Sequence, residues 1–430
     1  MDEKNIIIEE PLTNDDYDVI VIGGGAAGLM AAGTAGRCGK RVLLLEKMEK
    51  PARKVRITGK GRCNLTNARG EEEFNENIRA NADFLRIAFS EFSNRATMRF
   101  FERMGVKLKT ERGERVFPES GKAADIANAL EFYCRDYNVE IQCDSRVSEI
   151  VTIGNRVLGV KYFNKRGFER KVEAANVIIA TGGVSYPRTG STGDGYLFAD
   201  RMGHKIEDLR PSLTPLVTSH PQAKYINDVL LKNTNVKLVI DGEVVREEFG
   251  EISFYDRGIE GATTLRLSRD AVDALLEERK VKLELDLKPA LTEEILRERI
   301  KREVAEMQPE EFFAELVRRL VPKPLVVPIC KELDVHSRLY ISKVSDNEFE
   351  RLIKVLKGWS FPISDYASFD YAVVTAGGVD CSEVNEYTME SKIVSGLYFA
   401  GEVLDIDANT GGYNLQIAFS TGHLAGLLKK

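Results

Sequence analysis

The stretch Tyr17-Asp18-Val19-Ile20-Val21-Ile22-Gly23-Gly24-Gly25-Ala26-Ala27-Gly28 decides the fold. Tyr17 to Ile22 is a short apolar run of the kind a strand buried on both faces needs. It leads directly into Gly23, Gly25 and Gly28, which fit G-x-G-x-x-G, and on into the small-residue run Leu29-Met30-Ala31-Ala32-Gly33. In that pattern the first glycine permits a tight turn, the second lets backbone approach a pyrophosphate, and the third lets the helix press on the strand. The helix start, through Ala26 and Ala27, offers free N–H groups and a positive dipole end to phosphates. A second run, Arg41-Val42-Leu43-Leu44-Leu45, ends at Glu46, 18 residues after Gly28. An acid there binds the hydroxyls of an adenosine ribose and points to a free 2′-hydroxyl. Three glycines at this spacing also occur in a tight turn without ligand. Here strand, glycines, helix, second strand and terminal acid agree, and they predict a dinucleotide-binding unit.

Two further glycine clusters choose the dinucleotide. Asn176-Val177-Ile178-Ile179-Ala180-Thr181-Gly182-Gly183 is another buried strand ending in small residues, followed by a glycine-rich loop from Val184 to Gly195. Near the C-terminus, Gly396-Leu397-Tyr398-Phe399-Ala400-Gly401-Glu402 is a strand ending in Gly-acid, and Asn409-Thr410-Gly411-Gly412-Tyr413-Asn414 opens a last helix from Leu415 to about Leu428. A nicotinamide dehydrogenase does not need its fingerprint domain completed by the end of the chain. A two-dinucleotide FAD domain does, because the long cofactor reaches from the first turn to a closing helix. Glu402 is then expected to hold the ribityl chain, and the last helix to face the flavin edge where negative charge builds on reduction. No second G-x-G-x-x-G follows Gly183, so NAD(P)H is expected only as a transient electron donor.

Composition removes other classes. A 430-residue chain with 43% hydrophobic and 30% charged residues is globular and large enough for two or three domains, not disordered or fibrous. No run of about 18 apolar residues appears and the start lacks a signal-peptide layout, so a cytoplasmic location without a membrane span is expected. The net charge of −6 argues against a generic nucleic-acid coat. The six cysteines form no C-x-x-C or C-x4-C pair and the four histidines share no motif with carboxylates, so neither a metal centre nor a redox disulfide is expected. A monomer is the working expectation.

Arg53-Lys54-Val55-Arg56-Ile57-Thr58-Gly59-Lys60-Gly61-Arg62-Cys63-Asn64-Leu65-Thr66-Asn67 resembles the signature loop of the YhiN/BaiN-type FAD-dependent flavoprotein family. So do Asn385 to Lys392 with the following GLYFAGEVLDIDANTGGYNLQIAFSTGHLAG, and Arg115-Val116-Phe117-Pro118 with Ser120, Lys122 and Ala123. The resemblance covers nearly the whole chain from Tyr17. Thr192-Gly193-Asp194-Gly195 is also similar to the fumarate reductase and succinate dehydrogenase flavoproteins, in the FAD-binding segments only. The resemblance implies dihydrouridine formation in large-subunit ribosomal RNA, reduction of a bile-acid enone, or amine oxidation. The first two share hydride addition from flavin N5 to a C=C conjugated to a carbonyl, and that is the expected reaction. A small molecule or ribosomal RNA is the expected substrate. An amine oxidase releasing hydrogen peroxide and a non-redox FAD-containing RNA-binding module are the rivals. The family pattern near G-E-L-L-F-T-H-x-G-I-S-G-P is altered here in the loop Gly250 to Ala262, with Asp256, Glu260 and Ala262 in place of histidine, serine and proline.

The candidate cofactor-binding residues are Gly23, Gly25, Ala26, Ala27, Gly28, Glu46, Lys47, Thr58, Gly59, Arg62, Cys63, Asn64, Val147, Ala180, Thr181, Gly182, Gly401, Glu402, Gly411, Gly412, Asn414 and Leu415. Cys63 is also the candidate catalytic residue: beside Arg62 its thiol pKa would be lowered and it would serve as proton donor. A buried packing cysteine is the alternative. Tyr186 and Tyr413 are read as stacking walls or proton donors. Lys47 to Arg69 holds eight basic residues against one acid, Glu49. They balance the cofactor's charge, dock an anionic polymer such as RNA, or form a solvated loop.

The expected fold is α/β: a Rossmann-like two-dinucleotide FAD-binding domain in two parts, residues 17–207 and 361–430, with an insert. The insert divides into a β-barrel-like subdomain, 208–290, and a small helical lobe, 291–360. Val236 to Val245 reads as a hairpin on Asp241-Gly242, and Val281 to Leu287 as a half-buried strand. Helices are expected from Thr292 to before Pro309, from near Pro309 to before Pro322, and from a capping box at Ser345-Asp346-Asn347-Glu348 to Gly358.

Overall fold

The computed structural model describes residues 17–226, 228–256 and 258–429. The acidic leader before Tyr17, and Arg257 of the altered segment, lie outside the described residues. The described residues form two compact units, 17–210 with 374–429, and 211–373.

The first unit is built on the strand Tyr17–Ile22, which pairs in parallel with Val42–Leu45 on one side and with the end of Glu169–Ile179 on the other. Glu140–Gln142 extends the sheet beyond Val42–Leu45, and Leu397–Phe399 pairs in parallel with Val177 to Ile179. Val19, Ile20 and Val21 are fully buried, as are Val177 to Ile179. This is why those segments read as unbroken apolar runs rather than alternating ones. The long strand Glu169–Ile179 serves two purposes: its first half pairs antiparallel with Arg156–Phe163, which pairs in turn with Arg146–Ile153.

The helix Ala26–Arg37 is buried from Ala26 to Gly36, and the last helix, Tyr413–Leu427, packs against it. Small residues permit this: a Cβ on Gly422 would sit 2.4 Å from Ala27 O, and one on Gly426 2.4 Å from Ala31 O. The contacts advance together, 422 with 27 and 426 with 31, so the two helices run parallel. His423, one turn in from the end, stacks on Phe92 with centroids 4.6 Å apart, and its Nδ1 lies 3.2 Å from Thr34 Oγ1. Burial pulls its pKa down from the ordinary 6.5 to about 4, assisted by Arg37. The folded state therefore resists a proton that the unfolded chain accepts. Stability is complete above pH 6.5 and falls as pH drops toward 4, by about 2 kcal/mol between pH 7 and pH 5. Urea unfolding at several pH values is expected to show this slope, and His423→Phe is expected to flatten it.

The second unit holds a closed six-stranded barrel in the order Leu216–Thr218, Gly258–Glu260, Glu243–Tyr255, Val229–Ile240, Val281–Asp286 and Trp359–Tyr366. Ile240 pairs with Glu243 around Asp241 at φ +52° and Gly242 at φ +95°, a turn with two left-handed residues that suits the twist of a hairpin. Helices follow at Glu293–Ala305, capped by Thr292, at Phe313–Leu320, at Val326–Glu332, and at Asp346–Gly358 with both bonds of its capping box present.

Three expectations on this unit are corrected. Phe361 does not start the last part of the cofactor domain. It pairs with Leu283 inside the barrel, and the first unit resumes at Val374. Gly250 to Ala262 is not a loop but the end of one barrel strand and a second, three-residue strand, after which Ala262–Leu276 is helical. The helix expected from near Pro309 begins at Phe313.

Candidate functional site

The fingerprint turn is shaped by contacts that only glycine tolerates. Gly23 has φ +101°, and a Cβ there would lie 2.6 Å from Ala180 O; a Cβ on Gly28 would lie 1.8 Å from Gly23 O. Gly25 is different: a Cβ there would meet nothing within 4 Å. Gly25 caps the helix Ala26–Arg37 without any side-chain hydrogen bond, so the first N–H groups, through Ala26, Ala27 and Gly28, have no side-chain acceptor. The last helix likewise starts at Gly412, φ +98°, with no side-chain cap. Because Ala27 lies beside Gly422, the start of the last helix stands eight residues ahead of the first helix, about 12 Å along the shared axis. Two uncapped helix starts thus face the same way at staggered depths. A pyrophosphate suits the first, and the electron-accepting edge of a ring system suits the second.

Glu46 ends its strand with both carboxylate oxygens engaged: Gly24 N–H donates to Oε2 at 2.7 Å and Met48 N–H to Oε1 at 2.8 Å. Burial raises its pKa, opposed by these two donors and by Lys47. Each oxygen keeps a lone pair for a hydroxyl. Val147 is buried on Arg146–Ile153, and Ser145 N–H, two residues before it, donates to Glu46 O at 2.9 Å. Lys47 is committed elsewhere, to Thr192 and to Asp194 Oδ2 at 2.8 Å, which ties the second strand to the glycine-rich loop. Ala180 N–H donates to Ile22 O at 2.9 Å; Thr181 and Gly182 continue from it, Gly182 at φ +72°.

The signature segment begins as a helix, Arg53–Gly61, which breaks at Thr58 (ψ 149°) and turns left-handed at Gly59 and Lys60. Thr58 Oγ1 donates to Val55 O at 2.7 Å, and Cys63 N–H to Thr58 O at 3.0 Å, closing the turn. Asn64 follows with its Oδ1 buried and reached by no donor among the described residues. Two residues on, Thr66 O supports Gly412, where a Cβ would lie 2.4 Å away, and Asn67 Nδ2 donates to Gly411 O at 3.1 Å. Asn64 thus precedes by two residues the segment that packs on the start of the last helix. There Asn414 braces the approach, donating to Ala408 O at 2.9 Å and accepting from Ala408 N–H at 3.0 Å; Leu415 is half-buried one residue later. Gly401, φ +80°, passes 2.7 Å from Ala27 Cβ as measured from an added Cβ.

Glu402 is held by two donor groups of this chain. Lys54 Nζ donates to both of its oxygens, at 3.1 and 2.8 Å, and Thr375 N–H donates to Oε1 at 2.9 Å. Its carboxylate faces Gly183, 3.1 Å from an added Cβ. It clamps three distant segments together before any ligand is considered. Sequence reading missed Lys54 and Thr375. Lys54 was legible only as one of eight cations, and Thr375 carried no signal.

The acidified-thiol reading of Cys63 is overturned. Its side chain is fully covered, and burial pushes the pKa up to about 12, only partly offset by a hydrogen bond with Thr58. Arg62 turns away from it, to Glu111 Oε1 at 2.5 Å and over the Phe117 ring at 4.2 Å. Cys63 packs the core of the turn and has no surface from which to donate a proton to substrate. Tyr413 is buried edge-on against Phe74 at 4.8 Å, a packing role. Tyr186 is half-buried at φ +53°.

The basic segment is largely neutralised. Six of its eight cations form ion pairs: Lys47 with Asp194, Arg53 with Glu49, Lys54 with Glu402, Arg56 with Glu131, Arg62 with Glu111 and Arg69 with Glu73. Those six are held by partners within the chain, which leaves Lys50 and Lys60 without an ion pair among the described residues. Among the described residues no group of three or more His, Cys, Asp or Glu is arranged to hold a metal, and no helix is long and apolar enough to cross a membrane.

Comparison with known proteins agrees with this geometry. The HI0933-like protein Rossmann domain family matches residues 17–428. This chain belongs to that family. The HI0933-like chain is 32% identical over 409 residues to the 3-dehydro-bile acid delta(4,6)-reductase of Clostridium scindens, covering 94% of this chain and 97% of that one. It is 30% identical over 412 residues to the ribosomal RNA dihydrouridine synthase of Haemophilus influenzae, covering 95% and 97%. The 3-ketosteroid delta1-dehydrogenase of Sterolibacterium denitrificans, crystallised with 1,4-androstadiene-3,17-dione, shares the fold at a TM-score of 0.53 and 14% identity, over 96% of this chain and 99% of that one. The HI0933-like chain is an FAD-dependent oxidoreductase, which sets aside the non-redox binding module.

Proposed function

We propose that the enzyme is an NAD(P)H-driven reductase of a carbon–carbon double bond conjugated to a carbonyl. The observation that carries the cofactor half of this reading is the pair of uncapped, parallel helix starts at Gly25 and Gly412, staggered by about 12 Å. The backbone of Gly25 to Gly28 would hold the pyrophosphate of FAD and Glu46 its ribose. The N–H groups at Tyr413 and Asn414, with Asn64 Oδ1, would meet the ring. Bound FAD supplies two-electron hydride chemistry. The chain's own contribution is a rigid cradle. Gly23 against Ala180, Gly412 against Thr66 and Gly401 against Ala27 leave the backbone no room to shift, which favours orientation over adaptation. The last helix sets a positive dipole end where charge develops.

The chemistry is supported by the two curated relatives, a steroid-acid reductase and a uridine reductase, since both act on a C=C conjugated to a carbonyl. A cytoplasmic setting with access to NAD(P)H fits this reading. The test is anaerobic turnover with NADPH or NADH on a 3-oxo-4-ene bile acid and, separately, on uridine-containing ribosomal RNA fragments. Mass spectrometry should find one of the two carrying two added hydrogens. No gain in either, together with hydrogen peroxide formed from small amines in air, would replace the reductase by an amine oxidase.

A further inference from the structure

A stripe of unpaired positive charge in the first unit lies outside the signature segment, in which only Lys50 and Lys60 lack an ion pair among the described residues. The helix Asn94–Arg103 is seated by its buried residues Asn94, Thr97 and Phe101, and Asn94 Nδ2 donates to Asn67 O and Arg69 O at 2.7 and 2.8 Å. That seating turns Arg95, Arg99 and Arg103 outward. They recur every four residues, about 6 Å apart along the helix, and Lys107 continues the series just beyond its end. All four are exposed, and among the described residues none has a side-chain hydrogen bond or ion pair. Glu102 is the single acid on the helix. The contrast with the signature segment is physical: there six of the eight cations are spent on Glu and Asp partners, whereas here all four are solvated and available.

The stripe ends at Lys107 on a groove of about 660 Å³, which Lys107 lines together with Met104, Val106 and Phe132 and with two acids, Glu119 and Asp125. Phe132 is 57% exposed, an aromatic ring left open in the groove that Lys107 shares. Arginines match phosphate oxygens through a planar fork, and an exposed ring offers a stacking face to any base. An acidic protein surface would use the cations but not the ring.

We propose that this face docks a single-stranded segment of RNA, with Arg95, Arg99, Arg103 and Lys107 on its phosphates and Phe132 under a base. The choice of RNA rests on the reductase reading and its uridine candidate, but docking is measurable without turnover. The experiment uses the FAD-loaded full chain and a fluorescein-labelled single-stranded RNA of mixed sequence, titrated by anisotropy at several salt concentrations. Four phosphate contacts predict a log–log salt slope near −3, from about −0.7 per contact on a single strand. The variant R95Q/R99Q/R103Q should reduce the slope by about 2, and Phe132→Ala should weaken binding about tenfold. A control variant, K40Q/R166Q/R201Q, removes the same charge from exposed sites elsewhere and should leave the slope unchanged.

Equal loss in the control, or an unaltered slope in the arginine variant, overturns the proposal. So does poly-glutamate that competes as strongly as unlabelled RNA, since that assigns the face to an acidic protein. The arginine variant should still reduce a small conjugated enone at the parental rate with its flavin retained. If parent and variant alike fail to reduce either substrate while the salt slopes differ as expected, the docking face stands and the reductase reading falls.

Discussion

Gly28→Ala is expected to purify largely without FAD and to unfold at lower denaturant than the parent, whereas Gly25→Ala is expected to lose FAD affinity alone. The difference lies in what each new methyl group meets. At position 28 it would sit 1.8 Å from Gly23 O, and Gly23 cannot retreat, being held at φ +101° with Ala180 O behind it. Strand and helix must separate, an overpacking cost of about 3 kcal/mol. At position 25 the methyl meets no protein atom within 4 Å, and the backbone there, φ −80° and ψ −167°, is ordinary for alanine. It would occupy only the space through which backbone approaches a pyrophosphate. Urea unfolding of the apoproteins, paired with FAD titration by fluorescence quenching, separates the two effects. A Gly25→Ala protein that binds FAD as tightly as the parent would remove the cofactor from this turn.

Lys54→Met is expected to destabilise the first unit by about 3 kcal/mol, the lower end of the range for breaking a buried ion pair, since about a fifth of each side chain is exposed. Glu402 would keep one donor, Thr375 N–H, and carry an unbalanced charge against Gly183. The double variant K54M/E402Q should recover most of the loss, because the amide oxygen still accepts from Thr375 while the charge is gone. A double variant no more stable than Lys54→Met would mean that Lys54 contributes by packing its stem and not through the pair. Denaturant unfolding of all four proteins completes the cycle.

These two constellations differ in how far sequence reveals them. The fingerprint turn is local: strand, glycines, helix and acid lie within thirty residues, and each glycine's spacing reports its steric duty. The clamp on Glu402 joins Lys54, Thr375 and Glu402 from three distant places, and nothing in their own neighbourhoods marks the meeting. The barrel shows the same division. Its hairpin is legible from alternation around Asp241-Gly242, but closure depends on Leu216–Thr218 and Gly258–Glu260, strands of three residues that are too short to carry a period. Cys63 was misread for a related reason. Adjacency to Arg62 in sequence suggests charge beside the thiol, while the backbone turn sends the guanidinium to Glu111 and Phe117 and leaves the sulfur in the core. The basic segment likewise shows its charge in sequence but not its partners, and six of its eight cations are already paired.

On the proposed function, a cradle for FAD set between two staggered helix starts serves reduction of a conjugated carbonyl compound. The most direct measurement mixes the FAD-loaded protein with NADPH or NADH under anaerobic conditions, follows the flavin absorbance, and then adds a 3-oxo-4-ene bile acid or uridine-containing RNA. Rapid bleaching by the nicotinamide, followed by recovery of the yellow form on adding one of the two acceptors, is the predicted result. A flavin that stays yellow with both nicotinamides, or a bleached flavin that recovers only when oxygen is admitted, would contradict it.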